Sequence, residues 1–269
     1  MQVHPSPLAD FIARHRRLFV LSGAGCSTDS GIPDYRDASG NWKRPPPVGF
    51  QAFVGSAAVR RRYWARSFVG WQHLRRARPG GAHAGLARLE QQGRMELLVT
   101  QNVDGLHQAA GSLRVIDLHG RLDRVQCMDC HAIAPRQELQ IELLQRNPEW
   151  ARLQGRPAPD GDADLDGLAF DDFSVPSCAR CDGVLKPDVV FFGESVPRQR
   201  VEAAMQALER ADAVLVVGSS LMVYSGYRFV RAAAQSGKPV AAVNLGRTRA
   251  DELLTLKVAL PCARALATL

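Results

Sequence analysis

Short apolar runs, each followed at once by small or polar residues, alternate with helical stretches along most of this chain. The runs cover residues 18–21 (Leu-Phe-Val-Leu), 95–99, 115–118, 189–192, 213–217 and 240–243. Nearly uninterrupted runs of this length predict strands buried on both faces. Helical patterns fall at 57–71, 82–92, 198–210 and 227–235. Strands alternating with helices predict an α/β fold, a doubly wound parallel sheet. In such sheets the ligand crevice lies outside the carboxyl ends of the strands. Chemistry-bearing residues stand at those ends: Gly23 after the first run, Gln101 after Val99, Gly218 after Val217 and Asn244 after Val243.

A length of 269 residues holds one large domain with an inserted module, or two modest ones. The apolar content of 46% with 23% charged residues is that of a globular protein in water. Apolar runs stay far below the ~20 residues of a membrane helix. Arg14, Arg16 and Arg17 precede an apolar stretch too short for a signal-peptide core, so the reading is cytoplasmic, with no membrane partner. The net charge of +7 is carried by 30 Arg and 4 Lys. Such a surface favours acidic partners. Nucleic acid is nevertheless disfavoured: the longest basic run is Arg60-Arg61-Arg62, and aromatics are not interleaved with the basic residues.

The first strand leads into Gly23-Ala24-Gly25-Cys26-Ser27-Thr28 and then Gly31-Ile32-Pro33-Asp34-Tyr35-Arg36. Small residues there let backbone approach a ligand. A helix opening at Ser27 or Thr28 would aim free N–H groups at a phosphate. The third glycine of the dinucleotide fingerprint is missing, so the glycines alone are also compatible with an ordinary turn. The continuation sets a rigid turn, an acid and a guanidinium beside the loop, which a plain turn does not require.

Residues 125–183 change character, with one helical stretch near 138–145. Cys127-Met-Asp-Cys130 and Cys178-Ala-Arg-Cys181 are two C-x-x-C pairs 47 residues apart, able to supply four thiolates to a closed, structural zinc. Disulfides or a redox dithiol are the alternatives, disfavoured without a secretory signal. The long spacing calls for an extra element between the pairs. Within it, Gly161-Asp-Ala-Asp-Leu-Asp-Gly167 lacks the final Glu of a calcium loop and reads as an acidic surface loop. Cys26 and Cys262 are unpaired; Cys26 is reactive if exposed at a helix start, or simply a small filler.

Thr100-Gln101-Asn102-Val103-Asp104-Gly105-Leu106-His107 follows the second strand and combines neutral amides with one carboxylate, suited to ribose hydroxyls and a carboxamide. His119 ends the third run, where a base titrating near neutrality could serve a sugar hydroxyl.

Taken in order, these motifs with Lys186-Pro-Asp-Val-Val-Phe-Phe-Gly-Glu194 and Val217-Gly-Ser-Ser-Leu221 resemble the sirtuins, NAD-dependent protein-lysine deacylases, over nearly the whole chain. Tyr35, the wide cysteine spacing and Arg62-Tyr-Trp-Ala-Arg66 resemble the class II branch. The resemblance implies a discontinuous Rossmann-like NAD-binding domain (1–38, 81–124 and 184–269), a small helical cofactor and acyl-pocket module (39–80) and a zinc-ribbon module (125–183). It implies NAD as co-substrate, held by Gly23, Ala24, Gly25, Ser27, Thr28, Ile32, Pro33, Asp34, Tyr35, Arg36, Gln101, Asn102, Val103 and Asp104, with Gly218, Ser219, Ser220, Asn244, Leu245, Gly246 and Cys262 toward the adenosine.

The implied mechanism has nicotinamide leave and the acyl oxygen of a modified lysine attack the anomeric carbon. His119 is then general base on the ribose, with Asn102 and Asp104 as the other catalytic residues. The acylated protein would lie as a strand against Val189, Val190, Phe191, Phe192 and Gly193. Tyr63 and Arg66, one helical face apart, match a pair that holds acidic acyl tails in one branch; the same spacing also suits a plain basic outer face. Mono-ADP-ribosyl transfer or lipoamide cleavage in the same pocket is the alternative activity. A zinc ribbon that binds nucleic acid would have no use for Asn102, Asp104 or His119.

Overall fold

The computed structural model describes residues 6–267. The outermost residues of the expected NAD-binding domain, 1–5 and 268–269, lie outside the described residues. In chain order the strands are β1 (Leu18–Ser22), β2 (Met95–Thr100), β3 (Val115–Asp117), β4 (Gly120–Cys127), β5 (Ile133–Pro135), β6 (Arg156–Pro157), β7 (Ala163–Asp164), β8 (Leu185–Val189), β9 (Ala213–Val217), β10 (Val240–Val243) and β11 (Leu256–Val258). The helices are α1 (Pro7–Arg14), α2 (Phe50–Gly55), α3 (Ala57–Arg76), α4 (Gly81–Gln91), α5 (Leu106–Ala109), α6 (Arg136–Arg146), α7 (Arg198–Arg210), α8 (Tyr224–Gln235) and α9 (Cys262–Leu266).

The large sheet is parallel, in the order β11-β10-β9-β1-β2-β3. Every residue of β1 is buried because helices cover both faces. Leu18 and Val20 pack with Ile12 of α1 and Leu86 and Leu89 of α4. Phe19 and Leu21 point the other way, among Ala204 and Leu208 of α7 and Phe229 of α8. Each such side chain contributes about 2 kcal/mol on burial, so the uninterrupted run is the consequence of a two-sided core. The chain adds β2 and β3 on one side of β1 and later β9, β10 and β11 on the other. The order therefore reverses between β1 and β9, the position at which a crevice opens in such sheets.

The run at 189–192 departs from expectation. Its strand is β8, ending at Val189, and it pairs antiparallel with β4 in a separate sheet of order β5-β4-β8. The reason is the cysteine pairs: β4 ends in Cys127, and β8 follows Cys181 closely, so bringing the four sulfurs together zips these strands. The sheet consequently extends past both ends of the cysteine-bearing segment. Beyond Val189 the chain is held by Val190 N–H to His119 O (2.8 Å) and by Phe50 N–H to Phe192 O (2.8 Å).

The segment 161–167 is not a surface loop. β6 and β7 form a hairpin against α3, with Asp162, Ala163 and Leu165 buried. Gly70 of α3 permits it, since a Cβ there would stand 2.3 Å from the Asp162 carbonyl carbon. α3 itself starts at a capped Ser56, whose Oγ accepts from Val59 N–H (3.3 Å). Its Tyr63, Trp64 and Phe68 join Leu122, Leu139, Trp150 and Phe173 in a second core.

Candidate active site

The loop after β1 forms two 3-10 turns, Ala24–Cys26 and Thr28–Ser30, and not the expected α-helix. Its glycines are needed for contact with backbone. Gly23 N–H bonds Val217 O (3.0 Å) and Gly25 N–H bonds Gly218 O (2.9 Å). A Cβ on Gly218, whose φ is +63°, would fall 2.4 Å from Cys26 N. Two of the amides expected to face a phosphate are thus spent on locking the β1 and β9 loops together across the reversal point.

Ser27 is likewise no helix cap. Fully buried, it donates to Asp104 Oδ2 (2.7 Å) and accepts from Asn102 Nδ2 (3.0 Å). Asn102 Nδ2 also reaches Gly23 O (3.1 Å), and Asp104 Oδ1 accepts from Leu106 N–H (2.9 Å). Beneath them lies His83, whose Nδ1 accepts from Gly80 N–H (3.1 Å), leaving Nε2–H directed at Ser27 Oγ (3.3 Å). Burial holds His83 below the usual histidine range, against the pull of Asp104. Neither His83 nor this hub was legible beforehand, because 56 residues separate His83 from Ser27. Gln101 joins the loops as well: its Nε2 donates to Ser219 Oγ (2.7 Å) and Ser22 O (3.2 Å).

His119 Nδ1 lies 2.9 Å from Gln101 O, which can only accept, so Nδ1 carries the hydrogen. Nε2 is then free to accept from Ser225 Oγ at 2.8 Å. Burial lowers its pKa to about 4, helped by Arg200 and Arg228 against the Gln101 hydrogen bond. The imidazole is therefore neutral at pH 7 with its basic nitrogen presented. Ser225, at the start of α8, escaped sequence reasoning; the only clue was its place shortly after Val217-Gly-Ser-Ser-Leu221.

A cavity of about 1090 Å³ runs along these strand ends. Its wall carries every residue expected at the cofactor and substrate site except Pro33 and Arg66. Ile32, Asp34 and Tyr35 line it; Asp34 pairs with Lys43. Arg36 donates to Gly40 O (2.8 Å) and stacks on Trp42. At the other end Asn244 Nδ2 bonds Gly246 O (3.0 Å), and Leu245 stands exposed at the rim. Lys186, buried, pairs with Glu194 (3.1 Å), whose Oε2 also accepts from Phe191 N–H (2.8 Å). This pair stiffens the stretch 189–194 on the wall. Leu221 opposite adopts φ +58°, a strained conformation for a non-glycine residue at the cavity edge.

Cys26 is buried and its thiol pushed well up by desolvation, so it fills space. The sulfurs of Cys127, Cys130, Cys178 and Cys181 all lie within 4.8 Å of one another. Backbone N–H groups of Cys130 and Asp129 converge on Cys127 and bring its pKa down to about 7. His131 and Asp182, one residue past each pair, take positive φ to close the two turns. Four thiols converging at this distance fit a tetrahedral zinc.

A family model described as the Sir2 family matches residues 23–225. A Xanthomonas campestris pv. campestris (strain 8004) protein named NAD-dependent protein deacetylase is 67% identical over 262 residues, spanning 97% of this chain and 89% of its own. A Bordetella bronchiseptica protein of the same name is 65% identical, with 97% and 95% covered. A solved structure described as Sir2-p53 peptide-NAD+ superposes with a TM-score of 0.78 at 30% identity, covering 98% of this chain and 95% of the other.

Proposed function

This chain belongs to the Sir2 family, and from that membership we propose that it is an NAD-dependent protein deacetylase acting on acylated lysines of other proteins. The observation that supports this most directly is His119, neutral at pH 7 with Nε2 turned toward Ser225, on the same wall as Asn102 and Asp104.

NAD, when bound, supplies a ribosyl C–N bond whose cleavage releases nicotinamide and opens the anomeric carbon to the acyl oxygen. The rest falls to the chain. Gly23, Ala24 and Gly25 bring backbone close to the pyrophosphate, while Asn244, Leu245, Gly246 and Cys262 take the adenosine. Ser27 holds Asn102 and Asp104 in fixed orientation at the nicotinamide end, with Ile32, Asp34 and Tyr35 crowding the group that must leave. His119 Nε2 takes a proton from a ribose hydroxyl in place of the one it now shares with Ser225. The target backbone is read as an added strand between residues 189–194 and the loop after β9, which accounts for loose sequence selectivity.

The four cysteines hold one structural zinc, and the free thiols suit a reducing cytoplasm. Residues 39–80 serve as the acyl-pocket module, with Trp42, Val48 and Tyr63 on the cavity wall. The test is a panel of acyl-lysine peptides incubated with NAD and read by mass spectrometry. Acyl-ADP-ribose with free lysine is the expected product; an ADP-ribosylated target without deacylation would instead mean transfer to protein.

A further inference from the structure

The hairpin of β6 and β7 closes on itself through Ala158 N–H to Asp162 O (2.8 Å) and Gly161 N–H to Ala158 O (3.2 Å). Seated on Gly70, its turn delivers two carboxylates to the neighbourhood of Tyr63. Asp162 is buried and faces Arg66, Oδ2 to Nε 3.6 Å, so the guanidinium that an acidic acyl tail would need already has a counter-charge. Asp160 lines the cavity with Tyr63, Leu74, Leu122 and Pro159. Asp160 Oδ1 is buried without any hydrogen-bond partner. A buried acceptor left unpaired costs stability unless a ligand supplies the donor.

We propose that Asp160 reads the end of the acyl chain, accepting a hydrogen bond from a hydroxyl on a neutral tail and, with Asp162, refusing tails that end in a carboxylate. Burial raises both carboxyls, with Arg66 opposing it at each. A hydroxyl suits Asp160 in either protonation state, since it both donates and accepts. A carboxylate tail would bring a third acid to a place whose nearest guanidinium is already paired. The inference rests on the deacylase reading.

The test compares one peptide carrying acetyl-, butyryl-, 3-hydroxybutyryl- or succinyl-lysine, with NAD, as ratios of kcat/KM within each protein. The 3-hydroxybutyryl form should exceed butyryl by about ten- to hundredfold in the unaltered enzyme, with succinyl below both. In Asp160→Val the hydroxyl preference should fall to about 1, and Asp160→Asn, which keeps an acceptor oxygen, should restore part of it. Ratios within one protein divide out any general loss of activity. A hydroxyl ratio near 1 in the unaltered enzyme, a ratio unchanged in Asp160→Val, or succinyl ahead of butyryl overturns the proposal while acetyl turnover leaves the deacylase reading intact. Absence of turnover on all four peptides overturns both.

Discussion

Ser27 Oγ stands 2.7 Å from Asp104 Oδ2 and donates its hydrogen to it, although 77 residues separate the two in the chain. The same oxygen receives Asn102 Nδ2, so one hydroxyl orients both polar side chains on the cavity wall. Ser27→Ala removes the donor to Asp104 and the acceptor of Asn102 at once. We expect kcat/KM for NAD to fall about ten- to hundredfold, with circular dichroism unchanged. Steady-state kinetics giving less than a twofold loss would show that the carboxylate does not depend on this contact.

His119→Ala should lower deacylation by about a thousandfold while NAD still binds, measured by product formation and by calorimetry. The unaltered enzyme should keep its base form well below neutrality. Its kcat/KM profile should show an acid limb attributable to His119 near pH 4, not near 6.5. A limb at 6.5 would mean that the imidazole is solvated.

The same depressed pKa has a stability consequence of defined sign. Unfolded, His119 binds a proton below about pH 6.5; folded, it does so only below about 4. The unfolded state therefore holds more protons between those values, and stability falls as pH drops through that window. His107, buried beside Ser22, behaves alike with a pKa lowered by burial to about 3. Across these windows His119 is worth about 3 kcal/mol and His107 about 5 kcal/mol. Urea midpoints at pH 7 and pH 5 should differ, and His119→Gln should narrow the gap.

Zinc analysis should find about one ion per chain. Cys130→Ser, or a strong chelator, should loosen the three-stranded sheet, because β4 and β8 are joined beside the cysteine turns. Increased proteolysis between residues 127 and 181 would report it. Soluble, folded, metal-free protein with unaltered proteolysis would contradict a structural role.

Gly218→Ala places a methyl 2.4 Å from the Cys26 amide nitrogen in a residue of positive φ. That nitrogen and the Gly25 carbonyl carbon at 2.6 Å are both backbone, not flexible side-chain ends. The expected cost is about 2–4 kcal/mol, with NAD affinity lost together with the docking of the β1 and β9 loops. Thermal unfolding and NAD titration read the two effects separately.

Much of the arrangement is legible in the sequence. The uninterrupted apolar runs at Leu18 and Ala213 marked strands covered on both sides. Loops at the carboxyl ends of these strands, of β2 and of β10 carried Gly23, Gln101, Asn102, Gly218 and Asn244, which the fold collects on one cavity wall. The four cysteines likewise announced their own convergence. Such signals are legible because a strand's burial and a thiol's affinity for metal act through residue type and short spacing.

Other features depended on which distant segments meet. Nothing near Val189 says that β8 leaves the parallel sheet; its pairing with β4 is decided by the meeting of Cys181 with Cys127, 54 residues earlier in the chain. Asp160 and Asp162 look like solvated acids until Gly70 lets their hairpin settle on α3 beside Arg66. Ser27, His83, Ser225 and the tautomer of His119 are likewise matters of contact. The sequence by itself determined the strands, the loops that carry chemistry and the metal-binding thiols, through local periodicity and side-chain chemistry. Only the tertiary structure decided hydrogen-bond partners and the burial of charge, since these are set by long-range packing that no local pattern encodes.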